Sequence, residues 1–393
     1  MTLLNNIKNI FQPSSVVNSP LSRLYHYVRE NKQEKSRIHL RIDPDGTGTL
    51  IVNANRVMHL NPIAALMAYL ILEGKKEQEI VQTIKNQYRV SASQAGKDLS
   101  TFSLQLDNLI RPDVACPIHE LCLETVMPFS ARPSAPYRMD LAVTYRCNND
   151  CAHCYNSRER NFPELATGQW FKIIDQLWEL GVPHIIFTGG EATLRNDLPE
   201  LIAHAENNGQ ITGLNTNARR LMNMDYVKQL VDAGLDHVQI TVESCVPEIH
   251  DEMMRTEGAF KQTITGLNNV LATKLYVMTN TTMLRTNVHT IPATLNLLAD
   301  LGVPTVGLNA LIYSGQGLTV GTGLHENELQ PILDIATQKT AARGQKLIWY
   351  TPTQYCEFDP TANNLGVKGC TAALLQRQLE RLVRQQTAHF FDY

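Results

Sequence analysis

Residues 141–155 read Leu-Ala-Val-Thr-Tyr-Arg-Cys-Asn-Asn-Asp-Cys-Ala-His-Cys-Tyr, and this stretch decides how the rest of the chain is interpreted. A strand-like apolar run leads directly into a loop in which Cys147, Cys151 and Cys154 are spaced C-x3-C-x2-C. Three thiolates on one short loop can hold three corners of a cubane iron–sulfur cluster, which usually has four protein ligands. The fourth iron would then be open to an external chelator. The spacing therefore indicates chemistry at the cluster, beyond electron storage.

A structural zinc site is the alternative for this loop, because His153 lies among the thiols and zinc accepts mixed cysteine and histidine ligands. A closed zinc site needs four convergent ligands, and the adjacency of His153 and Cys154 makes joint ligation with all three cysteines awkward. A ferredoxin-like electron carrier is a further alternative. The spacing favours a cluster with an open iron over both.

Strands and helices alternate after residue 139. The predicted strands cover residues 139–145, 184–188, 211–215, 237–242, 275–281 and 304–308. The predicted helices cover residues 170–180, 198–206, 224–233, 259–273 and 291–301. About six βα units predict a parallel sheet that curls into a full or partial barrel, with its site at the C-terminal strand ends. The cysteine loop follows the first strand at that end.

The composition is that of an ordinary globular protein. Of 393 residues, 43% are hydrophobic and 19% are charged, and the formal net charge is −3. A chain of this net charge lacks the excess of basic residues that attracts nucleic acid or an anionic membrane. No apolar run approaches the roughly 18 residues that span a bilayer, and no signal peptide is evident. The eight cysteines cluster in a way that favours metal or redox use in a reducing cytoplasm over a disulfide framework.

The chain divides into five predicted segments. A loose arm covers residues 1–30, and a small winged-helix-like α+β domain covers residues 31–111. A proline-rich, semi-rigid linker covers residues 112–138, the barrel covers residues 139–350, and a short extension covers residues 351–393. The predicted fold class is therefore α/β: a partial (β/α)6 TIM-type barrel with a small N-terminal domain and a short C-terminal extension.

The N-terminal domain is predicted from a hairpin and three helices. Alternating apolar residues on both sides of Asp45-Gly46 indicate the hairpin. Asn61-Pro62 gives an N-cap followed by proline at the first helical position. A second helix is expected near residues 77–88, and Ser91 with Gln94 forms a capping box that opens a third.

Polar residues follow the next predicted strands of the barrel. Gly189, Gly190 and Glu191 end the second strand, where glycines allow close approach of a ligand and the carboxylate can accept bonds from a cationic amine. A structural turn is the alternative. Asn215 and Asn217 end the third strand and are either ligand contacts or turn formers.

With these motifs in place, the chain resembles the radical S-adenosylmethionine (radical SAM) superfamily over residues 139–350. The resemblance implies that the open iron of a [4Fe–4S] cluster binds S-adenosylmethionine and that reductive cleavage gives a 5′-deoxyadenosyl radical. It also implies roles for residues near the cofactor. His153 holds the aromatic position before the last cysteine, Glu191 contacts the methionyl amine, and Asn215 and Asn217 lie beside the cofactor, as do Gly189 and Gly190.

The end of the fourth strand departs from the family pattern. The family often has Ser-Leu-Asp-Gly there, whereas this chain has Glu243 and Ser244 in the last two places. The resemblance implies that Glu243 bonds the ribose hydroxyls and that Arg255 pairs with the methionyl carboxylate. A helix-capping polar cluster is the alternative. The later glycine-rich segment 315–323 lacks the pattern of a phosphate-binding loop and predicts a mobile lid.

The C-terminal segment resembles the opening of a SPASM-type extension, which holds auxiliary clusters in peptide-modifying radical enzymes. Cys356 and Cys370 are the possible auxiliary ligands, but no cysteine follows Cys370. An auxiliary iron–sulfur cluster is thus left open, and Cys116 and Cys122 are further candidate ligands. Cys245 is interpreted as a buried apolar residue.

Residues 36–110 resemble the small peptide chaperone of pyrroloquinoline quinone maturation, which binds a leader peptide as an added strand at its sheet edge. Together the resemblances imply a radical SAM enzyme, an oxidoreductase-type maturase of a ribosomally made peptide or small protein. Its electron donor would be of the flavodoxin or ferredoxin type. Two alternatives stay open: cofactor or heme-type small-molecule maturation by the same chemistry, and a catalytically silent peptide-binding adaptor.

Overall fold

The computed structural model describes residues 21–30, 35–54, 56–110, 134–156 and 163–351, which fall into two compact units. The predicted arm up to residue 20, most of the predicted linker and almost all of the predicted extension lie outside the described residues. So do Cys116, Cys122, Cys356 and Cys370, and the proposed auxiliary ligands therefore stay predictions.

The N-terminal unit is an antiparallel sheet followed by three helices. Its strands are β1 (Arg23–Glu30), β2 (Lys35–Ile42), β3 (Gly48–Val52) and β4 (Arg56–Leu60), hydrogen-bonded in that order. Its helices are α1 (Pro62–Leu72), α2 (Glu77–Gln87) and α3 (Ala92–Ile110). Apolar side chains from both layers, such as Leu40 and Leu106, form one core.

Strand β1 corrects the prediction of a loose arm over residues 1–30. It pairs with β2 along its whole length, and Leu24 and Tyr25 are buried in the core. The sheet therefore has four strands, of which the predicted hairpin supplies β2 and β3. The N-cap prediction is confirmed, since Asn61 Oδ1 accepts a hydrogen bond from the backbone N–H of Ala64 at 2.9 Å.

The second unit contains a parallel sheet of seven strands. They are β5 (Met139–Thr144), β6 (His184–Gly189), β7 (Ile211–Thr216), β8 (His237–Thr241), β9 (Tyr276–Thr282), β10 (Thr305–Asn309) and β11 (Lys346–Trp349). The strands lie side by side in chain order, with β5 and β11 at the edges. All six predicted strands are present, and β11 is a seventh that the sequence did not indicate.

Helices connect these strands. They are α4 (Thr167–Glu179), α5 (Leu198–Asn208), α6 (Met224–Asp232), α7 (Pro247–Met254), α8 (Ala259–Leu271), α9 (Ile291–Asp300) and α10 (Glu326–Ala342). Because every strand runs in the same direction, all seven C-terminal ends meet at one edge of the sheet. In the described part of the chain, no helix is both long and apolar enough to span a bilayer.

Candidate active site

The cysteine loop follows β5 and rests on the end of α7. Cys147, Cys151 and Cys154 are all partly buried, and none of them forms a disulfide with another described residue. The backbone N–H of Ala152 donates to the carbonyl of Met253 at 2.8 Å, and the sulfur atoms of Cys151 and Met254 are 3.3 Å apart. The loop therefore presents three thiols from a backbone that is tied to a neighbouring helix.

The three thiols are close enough to influence one another electrostatically. Burial raises the pKa of Cys151, and the charges of Cys147, Cys154 and Glu243 raise it further. A positively charged metal centre relieves this cost, because it stabilises thiolates that would otherwise repel. Soft thiolate ligands suit iron–sulfur clusters. Within the described ranges, no group of three or more His, Cys, Asp or Glu side chains is arranged to hold a single metal ion.

His153 makes its contact with Glu243, at the end of β8. The distance from His153 Nε2 to Glu243 Oε1 is 3.0 Å, and the Glu243 side chain is fully buried. Its other oxygen accepts the backbone N–H of Thr282 at 2.7 Å. Burial lowers the pKa of His153, but the charge of Glu243 and the hydrogen bond to it outweigh burial and raise that pKa. Glu243 therefore contacts the cysteine loop through His153. The contact of Glu243 with ribose hydroxyls stays a prediction.

The glycines that end β6 lie against the start of the cysteine loop. The N–H of Gly190 donates to Thr144 O, and the N–H of Glu191 donates to Arg146 O, both at 2.8 Å. A Cβ added to Gly190 would lie 2.4 Å from Arg146 O and 2.5 Å from Tyr145 O. Glycine is therefore required there by another backbone segment, which gives the motif a structural role in addition to any contact with a ligand.

The buried carboxylate of Glu191 connects the ends of β6 and β7. Its Oε1 accepts the backbone N–H and hydroxyl of Thr193, at 3.1 and 2.7 Å, and the hydroxyl of Thr216 at 2.7 Å. Within the described ranges, its Oε2 accepts only the N–H of Asn217, at 2.8 Å. A carboxylate offers about four lone-pair sites, two on each oxygen. Oε2 therefore keeps capacity for one further donor, such as a cationic amine.

Replacing Glu191 with glutamine is expected to destabilise the barrel. The amide NH2 would face N–H and O–H donors, and buried donors would be left unpaired at a cost of about 2 kcal/mol, or about 4–8 °C in Tm. Thermal unfolding measures the shift, with Glu200→Gln on the exposed face of α5 as the matched control. A variant that melts with the wild-type protein would contradict the assigned hydrogen bonds.

The two predicted asparagines differ in their surroundings. Asn217 donates from Nδ2 to Asn148 Oδ1 at 2.7 Å, so it connects the end of β7 to the cysteine loop. Asn215 lies two residues earlier on β7, partly buried, and pairs in register with Gln239 of β8. Asn217 therefore contacts the cysteine loop, whereas Asn215 lies two residues further from it, within β7.

Ser244 and Arg255 have structural partners. Ser244 is fully buried, and its hydroxyl bonds Thr290 Oγ1 at 2.9 Å and accepts the N–H of Val246 at 3.0 Å. Its environment matches the alternative of a polar capping cluster. Arg255 is half-exposed and donates to Gln316 Oε1 at 2.5 Å. Its pairing with a methionyl carboxylate stays a prediction.

Two residues that hold the cysteine loop were not predicted. Arg219 donates to Asn149 Oδ1 at 2.7 Å and to the carbonyl of Asn148. Gln316 donates from its backbone to Cys154 O at 2.9 Å and from its side chain to Asp150 Oδ1 at 3.0 Å. The glycine-rich segment 315–323, predicted as a mobile lid, is thus hydrogen-bonded to the cysteine loop. Only the glycines drew attention to this segment, and no local signal marked Arg219.

A model of the radical SAM superfamily matches residues 141–310, the range that contains the cysteine loop and these strand ends. Residues 141–310 of the barrel unit therefore form a radical SAM domain. This superfamily uses a [4Fe–4S] cluster and S-adenosylmethionine. A model described as coenzyme PQQ synthesis protein D (PqqD) matches residues 42–109 of the N-terminal unit. Both resemblances predicted from the sequence are confirmed.

Curated relatives align with part of this chain. Fe-coproporphyrin III synthase of Methanosarcina barkeri is 33% identical over 207 residues, which is 52% of this chain and 51% of that protein. PqqA peptide cyclase of Bradyrhizobium diazoefficiens is 32% identical over 185 residues, 47% of this chain and 48% of that protein. The chain spans about half the length of these relatives.

A solved structure shares the fold of this chain. Streptococcus suis SuiB, bound to its precursor peptide SuiA, matches with a TM-score of 0.61 at 13% identity, over 86% of this chain and 75% of SuiB. At this identity the match shows the fold alone. It confirms the predicted α/β class with a partial barrel.

Proposed function

We propose that this protein is a radical SAM enzyme that modifies a ribosomally made peptide or small protein. The observation that carries the proposal is the cysteine loop, which follows β5 and places three thiols at the C-terminal strand ends. The loop is tied to Glu243 through His153 and to the glycine-rich segment through Gln316. These contacts restrict the movement of the loop, as is expected for a loop that holds a reactive centre in a fixed place.

The donor set fits a [4Fe–4S] cluster, with Cys147, Cys151 and Cys154 as its three protein ligands. When bound, the cluster supplies the electron for reductive cleavage of S-adenosylmethionine to a 5′-deoxyadenosyl radical. Glu191 keeps one free lone-pair site on Oε2 for the methionyl amine. Asn217 and the glycine turn hold Glu191 and the cysteine loop at a fixed spacing.

The N-terminal unit supplies the peptide-binding function in this proposal. Its support is the PqqD match together with the relatives named PqqA peptide cyclase. In the described sheet, β1 and β4 are the edge strands, and an extended peptide can add to such an edge through main-chain hydrogen bonds. We place the enzyme in the cytoplasm, with a flavodoxin or ferredoxin as electron donor and with no nucleic-acid or membrane partner.

Heme-type maturation is the second candidate, because the relative at 33% identity is an Fe-coproporphyrin III synthase. It keeps the same cysteine loop and changes the substrate. The PqqD match favours the peptide, since a small tetrapyrrole needs no peptide-binding unit. A silent adaptor, which binds peptide without chemistry, is the remaining alternative.

The experiment uses the full chain, reconstituted anaerobically with iron and sulfide. Peptides encoded beside its gene are tested for binding and for a mass change with S-adenosylmethionine and dithionite. We expect at least one peptide to bind and to be modified, and the Cys151→Ala variant to bind it without modifying it. Binding without 5′-deoxyadenosine would indicate the adaptor. Production of Fe-coproporphyrin III from an iron tetrapyrrole, without peptide binding, would indicate the second candidate.

A further inference from the structure

On β8 and β9, the inner face of the barrel sheet is more accessible than the outer face. Side chains alternate between faces along a strand. On β8, Val238 and Ile240 are fully buried under the helices, whereas Gln239 and Thr241 on the opposite face are only partly buried. Strand β9 shows the same pattern. A filled barrel would bury these inner-facing side chains most, so the interior beside β8 and β9 is open, and we call this space the chamber.

The wall of the chamber is polar and uncharged. Asn215, Gln239 and Met278 lie side by side in one row across β7, β8 and β9. In the next row toward the cysteine loop, Thr241 lies beside Asn280. Amides and a hydroxyl in these rows can form hydrogen bonds, but they offer no charge to pair with an ionic ligand.

The floor of the chamber is also closed by neutral groups. The hydroxyl of Tyr350 donates to Gln239 Oε1 at 3.2 Å, and a Cβ on Gly307 would lie 2.5 Å from the Tyr350 ring. Below them, the Nε2 atoms of His184 and His237 are 2.8 Å apart. Burial, with a smaller effect of the Arg138 charge, lowers the pKa of His237 to about 4, so this imidazole is neutral at pH 7.

Gln239 and Asn280 offer a matched donor and acceptor. Gln239 uses its oxygen for Tyr350, which leaves its NH2 group to donate. Asn280 Oδ1 is buried and has no hydrogen-bond partner among the described residues. The terminal torsion of asparagine is broad, so a small rotation presents this oxygen to a ligand. The two residues lie on neighbouring strands, two residues out of register, with Cα atoms roughly 8 Å apart.

We propose that this chamber is a substrate subsite for an uncharged secondary amide, such as a peptide group, with Gln239 donating to its carbonyl and Asn280 accepting from its N–H. Its assignment as the substrate subsite rests on the proposed function. Gln239 and Asn280 offer a charged group no counter-charge, and the Arg138 guanidinium near the floor is already paired with Asp140 at 2.8 Å. A carboxylate or ammonium group would therefore lose hydration there without full compensation, and the subsite disfavours charged groups. Gln239 and Asn280 become specificity-determining residues of the reaction.

The test is saturation-transfer NMR on the full chain with two probes, N-acetylglycine N-methylamide and its charged analogue N-acetylglycine. We expect the wild-type protein to favour the neutral diamide by about fivefold or more, since one good hydrogen bond contributes about 1 kcal/mol. Gln239→Met and Asn280→Leu should remove this preference. Gln229→Met, on the exposed surface of α6, is the matched control and should keep it.

A second measurement separates this proposal from the proposed function. Reconstituted Gln239→Met and Asn280→Leu proteins should lose the coupling of 5′-deoxyadenosine formation to peptide modification, whereas reconstituted Gln229→Met should keep it. Equal saturation transfer from both probes, or unchanged preference in both variants, overturns the amide subsite. A wild-type protein that favours the diamide but forms no 5′-deoxyadenosine overturns the proposed function and the subsite's role in it, and leaves the amide site standing.

Discussion

The Cys151→Ala variant is expected to lose its bound iron and to form no 5′-deoxyadenosine above the protein-free background. Cys151 is the middle ligand of the predicted set, and the loop offers no substitute thiol close to it. Outer-sphere changes at metal sites already cost about 10–100-fold, and removal of a direct ligand should cost more than about 100-fold in cleavage rate. Iron and sulfide analysis, visible absorbance and chromatography of the nucleoside products measure the effect.

Cys245→Ala is the matched control for this variant. Cys245 is also a partly buried cysteine, but it follows β8 and lies outside the loop. The backbone N–H of Cys245 donates a hydrogen bond to Thr294 Oγ1, and the substitution leaves this backbone hydrogen bond intact. We expect iron content and cleavage to be unchanged. If Cys151→Ala still cleaved S-adenosylmethionine under dithionite, the assignment of Cys151 as a ligand of a catalytic cluster would be wrong.

Gly190→Ala is expected to destabilise the barrel and to reduce iron loading at the same time. The added methyl group would meet Arg146 O and Tyr145 O, at 2.4 and 2.5 Å, and neither backbone oxygen can rotate away. Overpacking of this kind costs about 1–3 kcal/mol or more, which lowers the Tm of a domain of this size by about 3–10 °C. The displaced backbone leads directly to Cys147, so the geometry of the cluster ligands should change as well.

Gly168→Ala provides the control for this glycine prediction. Gly168 lies in the first turn of α4, and a Cβ there would meet nothing within 4 Å. Alanine should leave the protein as stable as the wild type or more stable by up to about 1 kcal/mol. If Gly190→Ala melted and bound iron like Gly168→Ala, the close approach of the glycine turn to the cysteine loop would be wrong.

The barrel was predictable because its strands carry their own local signals. Strand β6 (His184–Gly189) contains the buried apolar residues 185–187 and is followed by Gly190, and the cysteine spacing identifies the loop after β5. Strand β11 was missed because its four residues are too short for a periodic pattern. Strand β1 was missed because its buried side chains Leu24 and Tyr25 are adjacent in sequence and do not alternate clearly.

The site was predictable where chemistry depends on spacing and unpredictable where it depends on tertiary contact. The three cysteines lie within eight residues of one another, so the sequence alone shows the ligand set. Gln316 reaches Asp150 across 166 residues, and Arg219 reaches Asn149 across 70. Contacts at such separations leave no periodic or local pattern, and the pairing of Glu243 with His153 belongs to the same class.

Electron–nuclear double resonance of the reduced, reconstituted protein tests the central claim most directly. S-adenosylmethionine labelled with 15N at the amine and 17O at the carboxylate is added to the cluster of the wild-type protein. We expect about four irons per chain and hyperfine coupling to both labels, which shows the cofactor bound to the open iron. Tetrahedral zinc bound by the three cysteines, or an iron cluster without coupling to either label, would contradict the account.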